Sequence, residues 1–198
     1  MRRWLHLVPV PLSIILVAIM IVASFCFVTQ AAELDGLQVP DTLQVDGKIL
    51  HLNGFGLRTY SVFDIHIYVA SLYLEHLSTD ADEIIRSPET KLLTVRFKRN
   101  VGADRARNAW RENFENNCMA PCHLDSDDVE RFLSEVPAMH VGDSFHLLFK
   151  GNGATVMVNG QQIGTFTKRQ FAEVMLATFI GPKANMGTLR QELLRGHS

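Results

Sequence analysis

The sequence predicts an α+β fold, an antiparallel β-sheet packed against a layer of α-helices. Three observations lead there. Strand-like segments come in two blocks, each followed by two helical segments. The dipeptide Asn159-Gly160 joins two apolar runs, and both residues tolerate the positive φ of a tight hairpin turn. With 47% hydrophobic and 20% charged residues, the chain can bury a core and is not disordered.

The elements follow in order. Residues 43–52 (LQVDGKILHL) form a hairpin or bulged strand around Asp46-Gly47. Residues 55–75 form one long strand or two joined at a bend. TDADEII opens a short helix with Thr79 as its N-cap. KLLTVRFKR alternates like a strand over residues 91–99.

GADRARNAWRENFENN is a helix whose Ala103, Ala106, Ala109, Trp110 and Phe114 follow helical spacing. Its Arg105, Arg107 and Arg111 are expected on a solvated face. LDSDDVERFLSEV is a second helix, capped by Asp125 or Ser126, with acids in its first turn to suit the dipole. DSFHLLFKG and ATVMVNGQQIGTF are strands. Thr167 then caps KRQFAEVMLATFIG, with Gln170 completing a capping box. Gly181-Pro182 stops that helix, and MGTLRQELLRG is a short last one.

The net charge of −2 argues against a nucleic-acid protein, which needs a basic face. The chain begins MRR and continues through a long apolar run to VTQAAEL. That pattern is a signal peptide over residues 1–31, or an uncleaved anchor that would tether the protein to a membrane. Either way residues 32–198 are one domain, expected to be periplasmic or secreted. Its two cysteines, Cys118 and Cys122, suit a disulfide in an oxidising compartment. A redox pair or a metal site with His123 is the alternative. Redox pairs usually have two intervening residues, and no third soft ligand accompanies these. No metal and no cofactor are expected.

Arg58 stands out chemically. It follows two closely spaced glycines and opens a strand rich in Phe, Tyr, Ile and Val. Alternation puts Arg58, Tyr60, His66 and Tyr68 on one strand face, with Phe63, Ile65, Ile67 and Val69 on the other. A guanidinium matches a carboxylate bidentately and stays charged at any relevant pH. It pairs with an internal acid such as Asp64, snorkels to solvent, or meets a foreign anion in a mostly apolar cleft.

Gly54-x-Gly56-x-Arg58, the strand ending Leu72-Tyr73-Leu74-Glu75, the helix pair Glu112-Asn113, the VNG hairpin and the closing FIGP…LRQELL run together resemble the chalcone isomerase-fold superfamily, in its small exported bacterial branch. The resemblance covers about residues 45–195. In the plant enzymes of that family an arginine at the place of Arg58 sits in a flavonoid cleft, a helix tyrosine and lysine activate a phenolate, and an asparagine contacts the ligand. Here the asparagine is Asn113, while Ala106 and Ala109 stand at the tyrosine and lysine positions. Tyr68 takes the place of a strand threonine.

Arginine with a strand tyrosine is similar to the non-catalytic fatty-acid-binding relatives. The resemblance therefore implies binding of a small hydrophobic acid, with Arg58, Tyr68, Asn113 and Tyr60 as ligand residues. Two rivals remain. One is an intramolecular lyase or isomerase using Tyr60 or His66 for proton transfer. The other is an interaction module without a small ligand.

Overall fold

The structure is a computed structural model and describes residues 31–60, 65–118 and 120–196. The expected leader therefore lies outside the described residues, apart from Ala31. Among the described residues no helix is long and apolar enough to cross a membrane.

Seven strands form one antiparallel sheet in sequence order: β3 (Thr42–Val45), β4 (Lys48–Tyr60), β5 (Ile65–Leu74), β6 (Lys91–Phe97), β7 (Ser144–Lys150), β8 (Gly153–Val158) and β9 (Gln161–Phe166). Turn chemistry accounts for two of its hairpins. Asp46 and Gly47 take φ of 49° and 80°, and Asn159 and Gly160 take 50° and 80°, as a two-residue turn between twisted strands requires.

A further hairpin, β1 (Ala31–Leu34) with β2 (Leu37–Pro40), was not expected. Its turn, Asp35-Gly36, carries the same signal, with φ of 52° and 71°.

Among the described residues five helices accompany the sheet: α1 (Ala81–Arg86), α2 (Ala103–Asn117), α3 (Ser126–Glu135), α4 (Arg169–Ile180) and α5 (Leu189–Leu193). Two expected caps are corrected. The N-cap of α1 is Asp80, not Thr79, because the Asp80 carboxylate reaches the amides of Asp82 and Glu83. The N-cap of α4 is Lys168, one residue after Thr167, and no side chain caps it. Gln170 closes no capping box; its Oε1 accepts the His123 amide at 3.2 Å. Asp125 does cap α3, accepting from the Asp127 amide at 2.9 Å. Cys118 and Cys122 form a disulfide where α2 ends.

Both faces of the sheet are covered. Along β5, Ala70, Leu72 and Leu74 point into the main core beneath the helices, with Leu93, Leu147, Phe132 and Phe166. Tyr73 points the other way, into a smaller core with Val39, Leu50, Leu52 and Leu92. A strand buried on both faces reads as a nearly continuous apolar run, which is why residues 69–74 are all buried and vary from it only at the small Ser71 and the aromatic Tyr73. Helix α4 is apolar nearly all round and is buried accordingly.

The glycine pair before Arg58 has a packing cause. A Cβ on Gly54 would lie 2.7 Å from the Leu193 carbonyl oxygen, and one on Gly56 would lie 2.8 Å from Glu192 Cβ. Helix α5 thus seats directly on the β4 backbone. Asn53, fully buried, fastens it: its Nδ2 donates to Leu193 O at 2.9 Å, and its Oδ1 accepts the Ser78 amide at 2.9 Å.

Candidate functional site

Beyond those glycines β4 runs free of α5, and its next inward residue is Arg58. Arg58 pairs directly with Tyr68 on β5, and Tyr68 with Phe97 on β6. Directly paired residues share a face, so the three side chains form one rung across three strands. This rung borders a cavity of about 710 Å³ between the sheet and helices α2 and α4. The volume lies within the ~300–1,000 Å³ typical of small-molecule sites.

The cavity floor is apolar. Trp110 of α2 sits 4.9 Å from the Phe132 ring, 5.8 Å from Phe179 and 5.9 Å from Phe145, centroid to centroid. Val95, Met139 and Phe179 are buried there. Polar groups gather at the open side, including the exposed Tyr60, Arg99, Arg105 and Glu112.

All four residues expected at a ligand site, Arg58, Tyr68, Asn113 and Tyr60, line this one cavity. Their circumstances differ. Arg58 is half-buried, and among the described residues no carboxylate lies within 4.0 Å of its guanidinium. Asp64, the internal partner the sequence offers, lies outside the described residues. Tyr68 packs edge-on against Phe97, and its hydroxyl donates to the Met186 sulfur, at 3.4 Å, a weak acceptor. Burial pushes its phenol up to about 12, against a smaller opposing pull from Arg58. It is therefore a hydroxyl donor, not a phenolate.

Asn113 donates Nδ2 to the Ala109 carbonyl at 2.7 Å, and its buried Oδ1 has no partner among the described residues. Tyr60 is 63% exposed at the rim.

Strand parity needs one correction. A bulge falls between the Arg58–Tyr68 and Thr59–His66 pairs. The extra residue, Ile67, lines the cavity, and the bulge turns His66 onto the opposite face from Tyr68. There His66 Nδ1 lies 3.2 Å from Asp35 Oδ1 in the β1–β2 turn. Ile65 pairs with Tyr60 and so shares its face, not that of Val69. His66 is not among the cavity residues and is not placed to move a ligand proton.

The helix arginines also divide. Arg107 donates to the Val136 carbonyl at 3.1 Å, and Arg111 reaches Glu130 at 3.5 Å. Arg105, expected on the same solvated face, lines the cavity mouth. Ala106 and Ala109 also line the cavity. Sequence reasoning missed Thr178, Met186 and Arg99. The first two come from α4 and the loop after it, which carry no periodic mark of a ligand wall. Arg99 had a readable signal, the alternation Val95, Phe97, Arg99, Val101.

A family model described as chalcone isomerase-like matches residues 31–195. The chain belongs to the chalcone isomerase-like family. The fold agrees: the crystal structure of an Arabidopsis thaliana fatty-acid binding protein is similar, with a TM-score of 0.69 at 16% identity, over 84% of this chain and 96% of that one. No curated protein matches by sequence. The layered sheet and helices of this chain agree with the chalcone isomerase-like family.

Proposed function

We propose that the protein binds a hydrophobic carboxylate of fatty-acid type and does not transform it. The carboxylate would sit between the Arg58 guanidinium and the Tyr68 hydroxyl. The chain would lie on the Trp110, Val95 and Phe145 floor. The observation that carries this reading is a half-buried guanidinium with no carboxylate within 4.0 Å among the described residues, facing a cavity of about 710 Å³. An unpaired charge shielded from water is costly, so an anion that reaches it is bound with a large gain. A neutral phenol beside it adds a second donor to the same anion. Each methylene buried on the floor adds about 0.8 kcal/mol. The fatty-acid ligand named for the structural neighbour supports this choice of ligand class.

Catalysis of the chalcone isomerase type finds no support in the side chains. Ala106 and Ala109 cannot donate, accept or orient water, and groups in those roles typically contribute about 10²- to 10⁴-fold in rate. The leader expected from the sequence and the Cys118–Cys122 disulfide favour an oxidising compartment as the place of action.

The test is a titration of the full-length protein with a long-chain fatty acid and with its methyl ester. The acid is expected to bind and the ester to bind about 100-fold more weakly, since a charge-assisted bidentate contact is worth roughly 3 kcal/mol. Equal binding of acid and ester, or no binding of either, would refute the proposal.

A further inference from the structure

The cavity wall raises the question of Arg58 a second time. Val95, Phe97, Arg99 and Val101 alternate along β6 and its extension, and all four line the cavity. Of the residues of opposite parity, Arg96 and Lys98 are also cationic and are engaged elsewhere, while Asn100 lines the cavity too. Arg96 donates to the Gly142 carbonyl at 2.7 Å, and Lys98 lies 3.4 Å from the Asp35 carboxylate. Arg99 has no hydrogen bond or ion pair among the described residues. Arg105 of α2 lines the same mouth and likewise has none. Its neighbour Asp104 lies 3.8 Å from Arg107 instead. Two arginines elsewhere do find acceptors, Arg131 meeting Asp128 at 2.9 Å and Arg169 meeting Glu173 at 2.7 Å, while the exposed Arg195 has none among the described residues. Two unpaired guanidiniums from separate elements therefore border one opening.

Arg99 is rooted apart from Arg58 along the cavity wall. Arg58, Tyr68 and Phe97 stand in one rung on adjacent strands, and Arg99 lies two residues past Phe97. At ~4.8 Å per strand and ~3.3 Å per residue, the Arg58 and Arg99 Cα atoms are roughly 12 Å apart. The wall between them is the Tyr68 and Phe97 rings. Glu112 is the one carboxylate among the described lining residues. It lies two turns along α2 from Arg105, about 10 Å, and pairs with no described residue.

We propose that Arg99 and Arg105 form a second anion subsite, and that the ligand class is an amphiphile with an acidic group at each end, a long-chain α,ω-dicarboxylate. This rests on the Arg58–Tyr68 reading above. One carboxylate meets Arg58, the apolar chain covers the Tyr68–Phe97 wall and the floor, and the second carboxylate meets the mouth pair. A simple fatty acid leaves that pair solvated and gains nothing from it.

The experiment is calorimetric titration of the full-length protein with a monoacid and an α,ω-diacid of equal chain length, at fixed ionic strength. The diacid is expected to bind about 5- to 10-fold more tightly, the scale of two solvent-facing ion pairs. In the Arg99→Ala/Arg105→Ala double variant that preference is expected to vanish. The diacid's monomethyl ester, which keeps the chain and one charge, is expected to match the monoacid. Equal affinities of monoacid and diacid in the unaltered protein would overturn the second subsite alone. So would a double variant that weakens both acids by the same factor, which is the mark of a diffuse rim potential. Binding of neither acid would remove the Arg58 reading together with this one.

Discussion

Arg58 of β4 and Tyr68 of β5 are direct partners in the antiparallel ladder, immediately before the bulge that turns His66 away. The pair places a permanent cation beside a neutral hydroxyl whose own bond, to the Met186 sulfur at 3.4 Å, is easily exchanged. With a carboxylate ligand the two groups should contribute unequally. Arg58→Ala is expected to weaken binding about 100-fold, and Tyr68→Phe about 5- to 10-fold, the difference between a charged and a neutral hydrogen bond. Arg58→Lys should restore only part, since an ammonium lacks the planar fork. Isothermal titration of the three variants checks the order, and a Tyr68→Phe loss as large as that of Arg58→Ala would contradict it.

The raised phenol makes a pH claim. With Tyr68 held at about 12 rather than its ordinary 10.0, the hydroxyl remains a donor well past the point where a free tyrosine ionises. Its folded value lies above its unfolded one, so its contribution to stability is present below pH ~10 and is lost as pH rises through about 12. Carboxylate affinity is expected to stay level through pH 10. Spectrophotometric titration should show two late tyrosine ionisations, since burial raises Tyr73 as well, and one of the two should be lost in Tyr68→Phe.

Lys91 provides a pH test away from the site. Its ammonium is buried and donates to the Ser87 carbonyl at 2.5 Å, and burial lowers it from 10.5 to about 8. Between those values the unfolded chain binds the proton and the folded chain releases it. Stability due to this group therefore rises with pH from about 8 to 10.5. Urea midpoints measured across that interval should climb in the unaltered protein, and that slope should flatten in Lys91→Met.

The seat of α5 predicts two glycine variants of different severity. Gly54→Ala drives a methyl into the backbone carbonyls of Glu192 and Leu193, which cannot swing aside. A loss of about 3 kcal/mol is expected, the upper end of overpacking costs. Gly56→Ala meets mainly the Glu192 side chain. Its smaller loss should be partly relieved by Glu192→Ala, whereas Gly54→Ala should not be. Chemical denaturation of the singles and doubles separates the cases.

Asn53 fastens the same helix from beneath. Removing it leaves the Leu193 carbonyl and the Ser78 amide without that partner. Asn53→Ala is expected to cost about 2–3 kcal/mol. It should also speed hydrogen exchange in α5 before the sheet is affected. Uniform exchange across both would show that the helix is held by something else.

The amino-acid order by itself determined the local structure. Asp46-Gly47 and Asn159-Gly160 set their hairpins because the required φ is a property of those residues. The helix over Ala103–Asn117 and the disulfide at its end follow from spacing within a few residues. The oddity of Arg58 in an apolar strand, and its grouping with Tyr68, were legible for the same reason. Tertiary structure decided what depends on contacts between distant segments. A one-residue bulge, invisible in composition, moved His66 from the cavity face to Asp35. Two cap positions shifted by a residue, because a cap is chosen by where the backbone turns. Arg105 left its expected company with Arg107 and Arg111 because α3 stands beside those two and the cavity opens beside Arg105. The glycines before Arg58 gained their reason only when α5, more than 130 residues away in sequence, lay down on β4. Periodicity and turn chemistry act through neighbours in the chain. A cavity, and the set of groups that face it, exist only once remote surfaces meet.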